Sequence, residues 1–334
     1  MKITLKDIAE DTGYSISTVS RVLNGSDKIS TRTRHQIYQS ARRLNYPVYR
    51  TLNGDSIVDT LKVFLIVTGF HLGEFYASLF HGLSFAAEKL NIRLSLVSIK
   101  KPFEEVLESI ESLSNQKYDG MVVFAPEFQK SDYEKIRKIL PEDYPVVSNG
   151  LIENPVFTTV SFDVYSGGFL AGEHFNNQGY TTCGIIRGPF EKAEARYRSN
   201  GFRDYIFQAE GMELIWDYQG DFTFQSGIEA FKAFRQLDEK PRAIFASNDA
   251  MCHAFMEEAL MHGYSFPDDI AIVGFDDLPI CSRHRPTISS VHTDYEQLGT
   301  VTMEKIKELI SNPHQQEKGV LSLVPVNLSR RESS

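Results

Sequence analysis

Eight residues near the amino end carry the first chemical signal. In Ile16-Ser17-Thr18-Val19-Ser20-Arg21-Val22-Leu23, the apolar Val19, Val22 and Leu23 recur at helical spacing, while Ile16, Ser17, Ser20 and Arg21 fall on adjacent i,i+4 rows that face the other way. A face of short hydrogen-bonding side chains with one arginine can enter the major groove of duplex DNA. There Arg21 can read guanine, and Ile16 can meet a thymine methyl. A second set lies downstream and is scattered: Phe70, Phe75 and Tyr76, then Asn149, Arg198, Asp221-Phe222, Asn248-Asp249 and Asp276-Asp277. Aromatic rings cover apolar sugar faces, and carboxylates, amides and an arginine hydrogen-bond hydroxyls, so the mixture suits a polyhydroxylated ligand. Each member has a plainer reading as well. Asn248 and Asp249 can cap the helix that follows, Asp276-Asp277 can be loop carboxylates, Arg198 can form a surface ion pair, and the aromatics can be core.

The first set requires a small helical head. Thr4 can cap a helix over residues 5–12, with Asp7 completing an acidic capping box and Gly13 ending it. Ser15 opens the next helix only one residue after Tyr14, and Ile29-Ser30 begins a third, from Thr31 to about Leu44, stopped by Pro47. Helices joined so tightly cross steeply, as in a helix-turn-helix. Val19, Val22 and Leu23 then pack on Ile8, Ala9 and Ile37. Charge agrees with this placement. The whole chain of 334 residues is at −9, which argues against a phosphate-binding surface, but its first 50 residues hold nine basic and four acidic groups and stand at +5. The remaining 284 residues carry −14.

The second set requires parallel sheets. From Leu61 onward, short apolar runs at 61–67, 93–99, 119–124, 145–148, 158–162, 183–187, 213–218, 242–247 and 270–275 alternate with amphipathic stretches. That alternation implies strands covered by helices on both faces, and two sheets of about five strands fit domain size better than one of ten. In such sheets a ligand binds beyond the carboxyl ends of the strands, which is where the scattered residues fall. A last segment, strand 287–291, helix 295–311 and strand 320–328, completes the chain.

Other chemistries lack their residues. Cys183, Cys252 and Cys281 are too few and too scattered for a disulfide framework or a zinc cluster and read as buried small apolar residues. The nine histidines show no metal-ligand spacing, His71 and His81 read as structural, and no metal or cofactor is expected. The nucleotide, phosphate-loop, nucleophile-elbow and zinc-protease motifs are absent, so an enzyme is not expected. No apolar run is long enough to span a bilayer, and the amino end has no apolar signal core, so a cytoplasmic protein without membrane contact is expected.

The stretches Thr4-Leu5-Lys6-Asp7-Ile8-Ala9, Gly13-Tyr14-Ser15, Ser17 through Gly25, Ile29-Ser30 and Leu44-Asn45-Tyr46 together resemble the DNA-binding head of the lactose-repressor/galactose-repressor (LacI/GalR) family. Arg198-Ser199-Asn200-Gly201-Phe202, Ser247-Asn248-Asp249 and Pro267 through Asp277 resemble that family's effector-domain signatures. The resemblance implies an α/β fold, a three-helix head plus a two-lobed core like that of periplasmic binding proteins, with two doubly wound parallel sheets. It implies a head over 1–47 and a linker over 48–60. The first lobe would be built from 61–156 plus 291–317, and the second from 157–290 plus 318–330. It implies base contacts from Ile16, Ser17 and Arg21, and backbone contacts near Thr4, Ser15, Thr18, Ser20, Asn24, Ser30, Arg32 and Tyr46. It implies Arg198, Asn248 and Asp276 as the effector-binding trio, Phe222 as a stacking residue, and Phe75 and Tyr76 as the first-lobe wall. Asn149 stands where the family often has aspartate. The family's hinge pattern is missing from 46–56, where Asn53-Gly54-Asp55 signals a turn and Leu52 is the one candidate wedge. The implied function is a homodimeric repressor of a carbohydrate-utilisation operon that binds operator DNA and is released by a sugar. The alternatives are a co-repressor-activated regulator sensing another metabolite, and a solute-binding or sugar-processing protein with a fused head.

Overall fold

The computed structural model describes residues 4–23, 29–44, 46, 60–69, 73–100, 102–116, 118–312 and 319–334. Asn24, the linker candidates including Leu52, Phe70 and His71 lie outside them.

The head is three helices, α1 (Leu5–Thr12), α2 (Ile16–Leu23) and α3 (Thr31–Arg43). Their ends are fixed locally. The Thr4 amide and hydroxyl both donate to the Asp7 carboxylate at 2.6 and 2.7 Å, which holds that carboxyl below its ordinary range. Gly13 takes a left-handed φ of 74° to leave α1. The Thr18 amide donates to Ser15 Oγ at 3.1 Å, and the Thr33 amide donates to Ser30 Oγ at 3.2 Å. Ile8, Ala9, Val19, Val22, Leu23, Ile37 and Ala41 form a separate small core.

The remainder is two six-stranded sheets. The first unit contains β1 (Leu61–Thr68), α4 (Glu74–Lys89), β2 (Ile92–Ile99), α5 (Phe103–Ser114), β3 (Gly120–Phe124), α6 (Lys130–Ile139), β4 (Val146–Ser148) and β5 (Thr158–Phe162). The second contains α7 (Val164–Asn177), β6 (Thr182–Arg187), α8 (Ala193–Gln208), β7 (Glu213–Gln219), α9 (Phe224–Arg235), β8 (Ala243–Ala246), α10 (Asp249–Met261), β9 (Ala271–Asp276), α11 (Ile280–Arg283) and β10 (Ser289–His292). The chain then returns through α12 (Tyr295–Ser311), β11 (Leu321–Val324) and β12 (Asn327–Ser329). The strand orders are β11-β5-β4-β3-β1-β2 and β12-β10-β9-β8-β6-β7. All pairings are parallel except β10 with β12.

The sheet memberships correct the expected lobe limits. The boundary between 156 and 157 falls too early, because β5 hydrogen-bonds to β4 and β11 in the first sheet. The expected single strand over 320–328 is two, and only β12 joins the second sheet, whereas β11 joins the first. Residues 291 and 292 belong to β10 and so to the second sheet. The chain therefore crosses between lobes three times, at 163, at 293–294 and at 325–326.

Matched close approaches set the helix layers. A Cβ on Gly168 of α7 would lie 2.0 Å from the Arg198 carbonyl oxygen of α8, and one on Gly201 would lie 1.9 Å from the Tyr165 carbonyl oxygen. Only hydrogen side chains let these two backbones touch. The first lobe repeats the device between α4 and α12, at Gly82 and Gly299.

Candidate functional site

In the head, α2 buries Val19, Val22 and Leu23 and leaves Ile16 at 49% exposure, with Ser17 and Arg21 also exposed. The three residues expected to reach base edges thus share one open face. Ser15 and Ser30 spend their hydroxyls on helix caps, and Thr4 spends its on Asp7, so each fixes a helix N-terminus. Thr18 and Ser20 are half-buried beside that face, Arg32 is exposed at the start of α3, and Tyr46 returns to the head through its amide on the Ala41 carbonyl at 2.8 Å.

In the core, strand ends from both sheets converge. Arg198 enters from α8 and is 7% exposed. Its guanidinium donates to the Ser247 carbonyl at 2.6 Å and to Asp276 Oδ1 at 3.0 Å, and it lies 3.8 Å above the Phe275 ring. Asp276, at the end of β9, is 5% exposed and has φ 108°. Burial raises its carboxyl above the ordinary range, and Arg198 opposes that shift. Behind it, Asp249 is fully buried, accepting from the Leu278 amide at 2.8 Å and from the Ser290 hydroxyl at 2.6 Å. Burial first, and the nearby Asp276 second, raise its carboxyl too. Asp277 points elsewhere, to His292, Ser329 and Arg331, and pins β12.

Asn248 is the helix cap of its plainer reading. Its Oδ1 accepts the Met251 amide at 3.0 Å and caps α10, while its Nδ2 donates to the Phe222 carbonyl at 2.9 Å. Phe222 has φ 72°, a strained value for a phenylalanine, and its ring lies against Gly188 with the Arg198 guanidinium 5.5 Å away. Strained backbone is thus held at both Phe222 and Asp276.

On the first lobe, Phe75 packs edge-on against Tyr76 at 5.2 Å, and Tyr76 donates to the Gly69 carbonyl at 3.1 Å. Asn149 is 5% exposed, and its Nδ2 donates to the Val160 carbonyl at 3.0 Å and to Thr302 at 2.8 Å. An aspartate could not donate there, so asparagine suits this position. Phe162 and Tyr295 were missed from sequence. Their rings pack at 5.4 Å, Tyr295 also meets Phe75 at 6.0 Å, and its hydroxyl lies in the field of Asp276 and Arg198. Both directly follow the rule of strand carboxyl ends, Phe162 closing β5 and Tyr295 opening the helix after β10.

Some polar atoms are left over. Among the described residues, Thr68 Oγ1, Asn149 Oδ1, Arg198 Nε and Ser247 Oγ are buried without a protein hydrogen-bond partner. All four belong to strand-end residues or to Arg198. Arg34, Tyr144, His174, Arg203 and Tyr295 also hold such atoms, most of them away from the strand ends, so the unpaired atoms are not confined to this corner. The lobes also touch on both rims. Glu194 accepts the Leu151 amide at 2.8 Å, and Arg196 pairs with Glu153 at 3.0 Å. On the other rim Glu74 accepts from the Ile280 amide at 2.8 Å and from Arg283 at 3.1 Å.

A helix-turn-helix head on a two-lobed binding core defines a class of ligand-responsive transcriptional regulators. Residues 4–47 match the model of bacterial regulatory proteins of the lacI family, and residues 172–334 match that of a periplasmic binding protein-like domain. The ribose operon repressor of Escherichia coli K12 is 25% identical over 333 residues, covering 98% of each chain. The HTH-type transcriptional repressor PurR of Aliivibrio salmonicida is 23% identical over 329 residues, again covering 98% of each. The transcriptional regulator CelR, solved as a cellobiose complex, superposes with a TM-score of 0.71 at 25% identity, over 99% of this chain and 100% of that one. The lac repressor dimer bound to operator and the anti-inducer ONPF superposes with a TM-score of 0.74 at 22% identity, over 100% and 99%. The head thus matches the lacI family of bacterial regulatory proteins, and the chain is similar along nearly its whole length to bacterial repressors. These relatives are named as repressors or regulators, not as enzymes. No helix among the described residues is long and apolar enough to cross a membrane.

Proposed function

We propose that this chain is a cytoplasmic, homodimeric repressor of a carbohydrate-utilisation operon, released from operator DNA by a sugar. The observation that carries the effector assignment is the Arg198–Asp276 pair, stacked over Phe275 with the Phe222 ring 5.5 Å from the guanidinium, near Tyr295, which packs against Phe75 and Phe162. A planar donor fork and a carboxylate between aromatic plates suit adjacent hydroxyls on a ring. The Arg198 guanidinium is already committed to Asp276 and the Ser247 carbonyl, which is poor provision for a phosphate, so an unphosphorylated sugar is favoured. The CelR relative was solved with cellobiose, and one curated relative is named for a ribose operon, which supports the sugar class. Asn149, Arg198, Phe222, Asn248 and Asp276, with Phe75 and Tyr76 behind them, form the effector set. Ile16, Ser17 and Arg21 read bases.

Two heads would meet the two halves of a two-fold operator, each α2 in a major groove. Sugar binding favours one lobe arrangement and shifts DNA affinity by its differential affinity for the two states. The test is a thermal-shift screen of pentoses, hexoses, disaccharides, sugar phosphates and nucleobases, followed by operator binding with each hit. A neutral sugar that raises the melting temperature and weakens operator binding is expected. A hit that strengthens operator binding would establish the co-repressor sign instead, and a phosphorylated hit alone would overturn the sugar assignment.

A further inference from the structure

A cluster of coordinating side chains outside both sites lies where α10 meets α11. His253 and Glu257 are one turn apart on α10, with His253 Nε2 3.2 Å from Glu257 Oε1. His284 ends α11, and its ring meets the His253 ring edge to face at 5.0 Å. A ring nitrogen of each histidine and a carboxylate oxygen of Glu257 all lie within 4.8 Å of one another. From sequence the set was invisible, because 30 residues separate the two histidines.

His284 is oriented as a ligand is. His284 Nδ1 lies 2.8 Å from the Pro286 carbonyl oxygen. A carbonyl only accepts, so Nδ1 carries the proton and the neutral ring keeps its lone pair on Nε2, the arrangement that backs histidine ligands in metalloproteins. His253 is held between His284 and Phe224, the latter edge-on at 5.4 Å, and its side chain is 19% exposed. Glu257 is open to solvent, which leaves room for a water beside it.

We propose that His253, Glu257 and His284 bind a divalent transition ion of the zinc class, with water in the fourth position. Two imidazole nitrogens with one carboxylate oxygen suit zinc better than calcium or magnesium, which prefer all-oxygen shells. Ligands of a tetrahedral zinc site stand about 3.3 Å apart, given bonds of ~2.0–2.1 Å. The exposed Glu257 side chain supplies the rotation that draws the set inward. The ion ties α10 to α11, and α11 is the element that Glu74 of the first lobe grips. An occupied site therefore stiffens the second-lobe side of that rim.

The experiment is zinc chloride titrated calorimetrically into metal-free full-length protein, with melting temperature and cobalt(II) ligand-field absorption as parallel readouts. One ion per chain, a raised melting temperature and a tetrahedral cobalt spectrum are expected. His253→Gln and His284→Gln should each weaken zinc by about tenfold or more. Wild-type zinc affinity in a folded His253→Gln/His284→Gln double variant overturns the proposal, as does absence of binding in the wild type. Should the histidine variants fail to fold, Glu257→Gln decides. Its melting temperature without metal should be unchanged and its zinc binding weaker, and an unchanged affinity and cobalt spectrum overturn the assignment.

Discussion

Arg198 bonds to Asp276 at 3.0 Å while stacking at 3.8 Å on Phe275, the residue immediately before its partner. Two adjacent residues of β9 thus fix the guanidinium both in plane and in height. Asp276→Ala leaves a buried arginine with only the Ser247 carbonyl, and removing one partner of a buried pair costs about 3–5 kcal/mol. The expected result is a lowered melting temperature and loss of the ligand-induced thermal shift, with operator binding retained at low temperature. A ligand shift of wild-type size would remove Asp276 from the effector set.

The paired carboxyls predict a pH signature. Asp249 and Asp276 are both raised, so above the unfolded value of 3.8 the native state holds protons that the unfolded chain has lost. Stability contributed by these groups is therefore full at acid pH and falls as pH rises through their folded values. Asp7 and Asp11 are lowered and slope the other way, so the difference between wild type and Asp249→Asn isolates the pair. Melting temperatures from acid to neutral pH should decline less steeply in Asp249→Asn. Parallel curves would show that the Asp249 carboxyl titrates alike in the native and the unfolded chain, and would overturn the raised value.

Gly168→Ala tests the position of Arg198 without touching the cleft. The new methyl would sit 2.0 Å from the Arg198 carbonyl oxygen, so α8 must move. Overpacking of this kind costs about 1–3 kcal/mol. Calorimetry should show that loss together with a weaker sugar affinity, since the arginine rides on the displaced turn.

Glu74 grips the second lobe through the Ile280 amide and Arg283 but touches no cleft residue of that lobe. Hydrogen bonds of this sort contribute about 1 kcal/mol each, so Glu74→Ala, which loses both, should weaken the ligand by roughly thirtyfold if binding needs the closed rim. Titration calorimetry reads this directly, and an unchanged affinity would mean that the rim does not report on closure.

Arg21→Ala removes the longest side chain on the exposed face of α2. Loss of one bidentate base contact costs about 1–3 kcal/mol, confined to the cognate sequence. Fluorescence anisotropy with operator and scrambled duplexes should show that asymmetry. Equal losses on both would assign Arg21 to the phosphate backbone.

The head was legible because its determinants are local. Thr4 with Asp7, Ser15 with Thr18, and the Val19-Val22-Leu23 stripe all act within one turn. The alternation of strands and helices was equally plain, because parallel strands are continuous apolar runs. Sheet membership was not, since nothing in Thr158–Phe162 distinguishes a strand ending one sheet from a strand opening the next. The four residues of α11 are too few for periodicity to register. In the cleft, Arg198, Phe222, Asn248 and Asp276 followed from strand ends and signatures. Tyr295 escaped because it is brought back from a crossover remote in sequence.

The three crossings between lobes have a consequence for synthesis. The first sheet waits for β11 and the second for β12, and Ser333 is itself buried, bridging the Ser289 amide and the Ile272 carbonyl. Neither sheet is complete until β11 and β12 have left the ribosome, whereas the head closes its core with Ala41. A nascent chain therefore exposes a folded reader of DNA long before it owns a sensor, and a message broken in its final stretch would yield heads without control.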